Sequence, residues 1–164
     1  MKSGFIVTNQ ANSGAMALGS DHAGFELKQA IKDLLTAQGL SVQDFGTFSL
    51  DSCDYPDYAR KVAEAVSQGL CHRGILVCGS GVGVSIVANK VRKVRAALVS
   101  EVEAAVLSRQ HNDANVLCLG ARSTSEARAK EIITAWLTTE FEGGRHQRRI
   151  DKIESSRQGE TLFG

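Results

Sequence analysis

Long apolar runs and proline are scarce in this sequence. Among its 164 residues, Pro56 is the only proline and Trp136 the only tryptophan. No apolar run approaches the roughly 20 residues that a bilayer-crossing helix needs. Residues 1–15 lack the apolar segment of a secretory signal peptide, and we interpret them as either a native extension or a remnant of cloning. We therefore expect no membrane contact.

An excess of charge of one sign is also missing. The 19 Lys and Arg residues nearly cancel the 18 Asp and Glu residues, which leaves a formal net charge of +1. Proteins that bind nucleic acids usually carry a basic excess on one surface. We therefore expect no nucleic-acid partner, and any positive site must come from local clustering.

The four cysteines show no paired spacing. Cys53, Cys71, Cys78 and Cys118 contain no Cys-x-x-Cys pair, and together with the four histidines they form no spacing typical of a zinc site. Reduced thiols of this kind are typical of a cytoplasmic protein. We expect Cys71 and Cys118 to be packing residues, and we expect no metal and no cofactor.

What the sequence does contain is a regular alternation of apolar runs and amphipathic stretches. This pattern predicts an α/β fold, a three-layer α/β/α Rossmann-like sandwich around a five-stranded parallel sheet. The predicted strands cover residues 15–18, 40–45, 74–78, 95–100 and 115–119. The predicted helices cover residues 25–38, 56–68, 82–90, 101–110, 123–141 and 146–156. Ser123 and Glu126 fit a capping box at the start of the fifth helix.

One domain accounts for most of this pattern. We assign residues 16–142 to a single α/β domain and residues 143–164 to a C-terminal helical arm that packs on a partner subunit. The arm follows a double-glycine break and carries the densest positive cluster of the chain, between Arg145 and Arg149. Two arginines four residues apart share one helical face and suit phosphate oxygens.

Polar side chains cluster near the ends of the predicted strands. Ligands of such sheets bind beyond the carboxyl ends of the strands. The polar segments are residues 19–24, 78–83, 109–113 and 120–122. We expect all four segments to meet at one edge of the sheet and to form a site there.

The segment Cys-Gly-Ser-Gly-Val-Gly at residues 78–83 is the most informative of these. Closely spaced glycines let several backbone N–H groups face one point at the start of a helix, where they hold a phosphate or a developing oxyanion. The same field favours a thiolate at Cys78. Such a cysteine serves either as a nucleophile in acyl transfer or as a base that removes a proton alpha to a carbonyl.

Other interpretations of this glycine loop stay open from the residues alone. A dinucleotide fingerprint needs its third glycine one residue later than Gly83, although Glu101 lies at about the distance of the ribose-binding acid. No Gly-Lys-Ser or Gly-Lys-Thr of a Walker loop occurs anywhere. A tight strand-to-helix turn that needs glycine only for packing is the simplest alternative.

Five segments together resemble a known family. They are Gly-Ser-Asp-His-Ala-Gly-Phe at 19–25, Asp-Tyr-Pro at 54–56, the glycine loop at 78–83, Ser-Arg-Gln-His-Asn-Asp at 108–113 and Gly-Gly-Arg-His at 143–146. In this order and spacing the chain resembles the ribose, galactose and allose phosphate isomerases, and among them the type B ribose-5-phosphate isomerases. The resemblance covers about residues 16–156.

The resemblance implies an aldose–ketose isomerase of the pentose phosphate pathway. Cys78 would move a proton between C1 and C2 of the open-chain sugar, and Ser80 would relay a proton between the two oxygens. His111, with Asp21 nearby, would open the furanose ring. The residues that would stabilise the cis-enediolate through their backbone amides are Gly79, Gly81, Val82 and Gly83.

The resemblance also implies binding residues and a partner. Tyr55 and Asn112 would line the sugar. The residues that would grip the phosphate are His22, Arg122, Arg145 and Arg149. In this family the site lies between two subunits, so we expect a homodimer or a tetramer whose C-terminal arginines serve the neighbouring pocket.

Three alternatives to the ribose 5-phosphate reaction are retained. Allose 6-phosphate and galactose 6-phosphate are related substrates, although Cys78 together with His111 favours the pentose. A non-catalytic module that binds a sugar phosphate or a nucleotide would keep the glycine loop but would need no base. A cysteine hydrolase would use His111 to activate Cys78, and it would leave the phosphate-binding arginines unexplained.

Overall fold

The computed structural model describes residues 14–155 of the chain. The strands are β1 (Met16–Ser20), β2 (Val42–Asp44), β3 (Arg73–Cys78), β4 (Ala96–Leu98) and β5 (Val116–Gly120). The helices are α1 (Phe25–Ala37), α2 (Tyr55–Ser67), α3 (Val82–Asn89), α4 (Val102–Asn112), α5 (Glu126–Thr138) and α6 (Arg145–Ser155). Most of the predicted segment at residues 1–15, and the end of the predicted arm, lie outside the described residues. Within residues 14–155, no helix combines the length and apolar character that a membrane span requires.

The five strands form one parallel sheet in the order β2-β1-β3-β5-β4. Strands β1, β3 and β5 are buried along their whole length, because helices cover both faces of the sheet. The predicted α/β/α sandwich with five parallel strands is therefore confirmed. The order of the strands was not predicted, since periodicity does not specify which strands become neighbours.

Two apolar clusters fill the space between the sheet and its helices. One cluster joins the sheet to α1, α4 and α5, and Trp136 is its largest fully buried side chain. The other cluster joins the opposite face to α2 and α3 through small residues such as Ala59 and Ala63. Side chains on alternate positions of β3, such as Ile75 and Leu76, enter different clusters because successive strand residues point to opposite faces.

The predicted capping box at Ser123 is wrong. Helix α5 begins at Glu126, and the side chain of Ser125 caps it by accepting a hydrogen bond from the amide of Arg128 at 3.2 Å. Ser123 instead donates its hydroxyl to the carbonyl of Gly120 at 3.3 Å, within the turn that follows β5. Two serines close together both fit the cap pattern, and the length of this turn decides between them.

Helix α6 packs on α4 of the same chain and is anchored by two buried side chains. His146 is 5% exposed and Ile150 is 5% exposed, whereas most other α6 side chains face solvent. The segment before α6 turns through Gly143 and Gly144, whose φ angles are +66° and +55°. The double-glycine break was predicted, and it provides the left-handed backbone that glycine adopts without strain.

A buried ion pair joins α1 to the end of β2. The ammonium of Lys28 is fully buried and lies 2.7 Å and 2.8 Å from the two carboxylate oxygens of Asp44. The amide of Gly46 donates a further hydrogen bond to Asp44 at 2.9 Å. Burial by itself raises the pKa of Asp44, but the hydrogen bonds from Lys28 and Gly46 outweigh it and bring that pKa below its usual 3.8.

Asp44→Asn should destabilise the fold by about 3–5 kcal/mol, because it leaves the buried ammonium of Lys28 without its counter-charge. Because the folded-state pKa of Asp44 is lowered, its contribution is complete above the unfolded-state pKa and is lost as the pH falls through the folded-state value. Urea unfolding of both proteins between pH 7 and pH 2.5 measures this effect. The difference in the free energy of unfolding should shrink at the acid end, and a constant difference would contradict the assignment.

Candidate active site

The carboxyl ends of β1 and β3 form the topological switch point of the sheet. The chain leaves these neighbouring strands in opposite directions along the sheet, which is the position where ligands bind in α/β folds. The loop after β1 lies against the end of β3, since the amide of Asp21 donates to the carbonyl of Val77 at 3.3 Å. Asp21 is buried, and its carboxylate accepts a hydrogen bond from the amide of Gly24 at 3.0 Å.

The glycine loop after β3 wraps around the sulfur of Cys78. The amide of Gly81 donates to Cys78 Sγ at 3.1 Å, and the amide of Val82 donates to Ser80 Oγ at 3.3 Å. Gly81 is the N-cap of α3 and has a φ of +78°, a conformation that favours glycine. The positive end of α3 therefore lies beside Cys78 and stabilises negative charge that develops there.

Tyr55 and Arg122 lie against this loop. A Cβ atom at Gly83 would come within 2.6 Å of the Tyr55 ring, and one at Gly79 would come within 2.8 Å of the Arg122 guanidinium. Both side chains are exposed at the carboxyl edge of the sheet. The glycines of the loop therefore leave room for two of the predicted binding residues.

His22 joins the loop after β1 to the segment before α2. Its Nδ1 accepts a hydrogen bond from the amide of Cys53 at 3.2 Å, and the Cys53 sulfur lies 3.9 Å from the same nitrogen. An Nδ1 that accepts a hydrogen bond places the proton of the neutral ring on Nε2. That Nε2–H is a donor that suits a phosphate oxygen.

The prediction that residues 109–113 join this edge is wrong. They form the end of α4, which returns to the amino edge of the sheet before β5 begins. The carbonyl of Asn112 accepts a hydrogen bond at 2.9 Å from Arg95, the residue directly before β4. The first and last of the six residues of β3 are five steps of about 3.3 Å apart, so about 16 Å separates the two edges. His111 and Cys78 therefore lie at opposite edges within one chain.

The start of α6 lies at the amino edge too. The rings of His111 and His146 are stacked, with centroids 4.3 Å apart and planes 12° apart. Arg145 and Arg149, on either side of His146 in the sequence, are exposed, and among residues 14–155 neither forms an ion pair.

The structure thus divides the predicted site residues into two groups. The carboxyl-edge group is Asp21, His22, Tyr55, Cys78, Gly79, Ser80, Gly81, Val82, Gly83 and Arg122, and the amino-edge group is His111, Asn112, Arg145 and Arg149.

Three features of these groups were not predicted from the sequence. Cys53 contacts His22, and Glu142 and His146 lie beside His111. His146 stands inside one of the five segments that carry the resemblance, and this was the available signal for it. Glu142 had no such signal, because its closeness to His111 depends on how the loop before α6 folds.

The remaining cysteines occupy the core, as expected. Cys71 and Cys118 are both buried, and burial raises the pKa of each thiol. A negative charge on Cys78 would raise the pKa of Cys118 further. Both thiols stay neutral and serve as small apolar groups.

Several known proteins are similar to this chain in both sequence and fold. A family model described as Ribose/Galactose Isomerase matches residues 16–153. Ribose-5-phosphate isomerase B of Escherichia coli (strain K12) is 50% identical over 143 residues, which cover 87% of this chain and 96% of that protein. The match therefore includes both groups of site residues.

Solved structures of ribose-5-phosphate isomerases B are also similar to this chain. Ribose-5-phosphate isomerase B of Clostridium thermocellum has a TM-score of 0.86 and 49% identity, over 87% of this chain and 96% of that one. The enzyme of Mycoplasma genitalium with bound ribulose-5-phosphate has a TM-score of 0.86 and 43% identity, over 89% of this chain and 97% of that one. The fold, the glycine loop at Cys78 and the matched length together establish that this chain belongs to the ribose/galactose isomerase family.

Proposed function

We propose that this protein interconverts ribose 5-phosphate and ribulose 5-phosphate, with Cys78 as the base. The proposal depends on the Cys78 loop, where the sulfur and the amide of Gly81 lie at the start of α3, next to the switch point between β1 and β3. It is supported by the names of the relatives, one of which holds ribulose-5-phosphate. The four free thiols also support our placement of this reaction in the cytoplasm.

The proton transfer needs one base and a set of oxyanion donors. Cys78 takes the proton from C2 of the open-chain aldose, and the electrons of that bond form the C1–C2 double bond of the cis-enediolate. The backbone amides of residues 79–83 stabilise the negative charge on oxygen, and Ser80 relays a proton from one oxygen to the other. Cys78 then returns its proton to C1, which gives the ketose.

We further propose that a second copy of the chain completes each site. His111 lies about 16 Å from the carboxyl edge along the sheet, so it reaches the sugar at Cys78 only from another subunit. An exposed apolar surface beside the Cys78 loop supports this pairing. Its members are Val82 (47% exposed), Ile86 (56%) and Leu98 (42%).

In this assembly the phosphate is held by both subunits. One subunit supplies His22 and Arg122, and the second supplies the exposed Arg145 and Arg149 of α6. Tyr55 of the first subunit and Asn112 of the second would line the sugar. Arginines suit this role because their planar guanidinium groups bind phosphate oxygens in a forked geometry.

Replacing the proposed base should strongly reduce catalysis without unfolding the protein. Cys78→Ser should lower kcat/KM for ribose 5-phosphate by about 10²–10⁴-fold, the usual contribution of acid–base catalysis. Cys118→Ala is the matched control, because it removes a buried thiol from the neighbouring strand, and it should stay near wild-type activity. The coupled isomerase assay should be run with and without chelator, with equal rates expected.

Full activity of Cys78→Ser would contradict the proposed base. A wild type that is inactive on ribose 5-phosphate but active on allose 6-phosphate or galactose 6-phosphate would move the proposal to that sugar. Inactivity on all three sugars would favour the binding module.

Two inactive variants should restore activity when they share a dimer. Cys78→Ala and His111→Asn, co-expressed with different tags and purified as the mixed species, should form one intact site and one site with both changes. The purified mixed dimer should therefore recover about half of the wild-type activity, because one of its two sites is intact. The purified single variants are the controls. No recovery in the mixed species would show that both residues act within one chain.

The arginines of α6 should affect substrate binding more than turnover. Arg145→Ala and Arg149→Ala should each raise KM about tenfold or more, since hydrogen bonds between charged groups contribute about 1.5–3 kcal/mol. Arg148→Ala is the matched control, because it removes the same charge from an exposed position of the same helix. Equal increases in KM for all three variants would indicate a general charge effect instead of two specific phosphate contacts.

A further inference from the structure

A compact group of three titratable side chains lies at the amino edge, away from Cys78. The His111 and His146 rings stack with centroids 4.3 Å apart. One carboxylate oxygen of Glu142 lies 3.5 Å from Nε2 of His146 and 4.0 Å from Nε2 of His111. The ring-opening residue proposed above thus has two neighbours to which no role has been given.

The backbone holds this group in place. The amide of Glu142 donates to the carbonyl of Gln110 at 3.1 Å, which ties the loop before α6 to the end of α4. The side chain of His146 is only 6% exposed, whereas that of His111 is 37% exposed. The buried ring of His146 therefore has a fixed position, and the more accessible ring of His111 stacks on it.

The geometry fits a stacked pair better than a metal site. Within residues 14–155, His111, Glu142 and His146 form the one group of three whose ligating atoms lie within 4.8 Å of one another. However, the two ring planes differ by only 12°, and the lone pair of each ring nitrogen lies in its ring plane. The lone pairs of the two rings therefore lie in nearly parallel planes. They cannot both point at one metal ion at the usual zinc–nitrogen distance of about 2.0–2.1 Å.

The charges around the pair favour a neutral His146. Burial lowers the pKa of His146, and the positive charges of His111, Arg145 and Arg149 lower it further, against the opposing effect of Glu142. These are the charged groups that face His146 from α4, from the preceding loop and from α6. A neutral His146 leaves the Glu142 carboxylate available to balance a proton on His111.

We propose that His146 is a positioning residue for His111, fixing the plane of its imidazole by stacking while Glu142 balances the charge of protonated His111. This inference rests on the proposed function. In the ring-opening step, protonated His111 gives its proton to the ring oxygen as the bond between that oxygen and C1 breaks. The C1 hydroxyl loses its proton to a base, and the products are the aldehyde and the C4 hydroxyl.

The chemistry of the two substrates separates ring opening from proton transfer. Ribulose 5-phosphate cannot close a furanose ring, because its C5 oxygen carries the phosphate. Incorporation of solvent deuterium at its C1 therefore reports the Cys78 step alone. Isomerisation of ribose 5-phosphate, which is mostly cyclic, reports both steps. A residue that acts only on ring opening affects the second rate and not the first.

The test compares His146→Leu, which removes the ring, with His146→Phe, which keeps a ring to stack on. The control is Gln147→Leu, an exposed neighbour in α6. We expect His146→Leu to lower kcat/KM for ribose 5-phosphate about 10–100-fold, the range for a misplaced catalytic group. Deuterium incorporation into ribulose 5-phosphate should stay within about twofold of the wild type. His146→Phe should recover part of the loss, and Gln147→Leu should match the wild type.

Each failure has a separate meaning. If the wild type neither isomerises ribose 5-phosphate nor exchanges deuterium, the proposed function is wrong. If the wild type is active but His146→Leu loses both rates equally or neither rate, the positioning role is wrong and the proposed function stands. Loss of wild-type isomerisation in chelator, restored by zinc, would also overturn the positioning role.

A second variant tests the role of Glu142. Glu142→Gln should lower kcat/KM for ribose 5-phosphate and leave deuterium incorporation into ribulose 5-phosphate near the wild-type rate, because it removes the negative charge 4.0 Å from Nε2 of His111. Equal loss of both rates, or loss of neither, would overturn the role of Glu142.

Discussion

The direction of the chain in the parallel sheet is the constraint on which the proposed site depends. Cys78 closes β3, whereas His111 comes just before β5, and in a parallel sheet these positions lie at opposite edges. No rotation of a side chain spans the roughly 16 Å between them. Both residues can act on one sugar only if two copies of the chain pair so that the amino edge of one faces the carboxyl edge of the other. A two-fold axis then creates two equal sites.

In the proposed dimer, the two halves of the reaction belong to different subunits. The carboxyl edge of one subunit would hold the proposed base, Cys78, and the amides that stabilise the enediolate. The amino edge of the other would bring His111, with its neighbours His146 and Glu142, and the arginines of α6. The stacked histidine pair can therefore be organised by α4 and α6 of one chain before any partner or substrate is present.

The glycines of the site serve packing as well as chemistry. A Cβ at Gly24 would lie 2.6 Å from the carbonyl oxygen of Val77, and one at Gly81 would lie 2.5 Å from Leu98. The absence of a side chain at Gly24 lets the loop after β1 approach the end of β3, and its absence at Gly81 lets the loop after β3 approach β4 and the end of β5. The simple interpretation of the glycine loop, a tight turn required by packing, is therefore correct, and the proposed oxyanion site uses the same backbone. The close approach at Gly24 places Asp21 beside the end of β3, where Cys78 lies.

The sequence by itself determined the fold class, nearly all helices and strands, and the residues of the carboxyl edge. It could do so because periodicity, strand-end position and the segment at residues 78–83 are local properties of the chain. It did not determine the strand order, the cap of α5 at Ser125, or the placement of His111 opposite Cys78. Those depend on which strands become neighbours and on where each helix returns to the sheet. Only the tertiary structure brought Glu142 and His146 to His111, because the loop before α6 and the end of α4 are distant in sequence and meet only through packing.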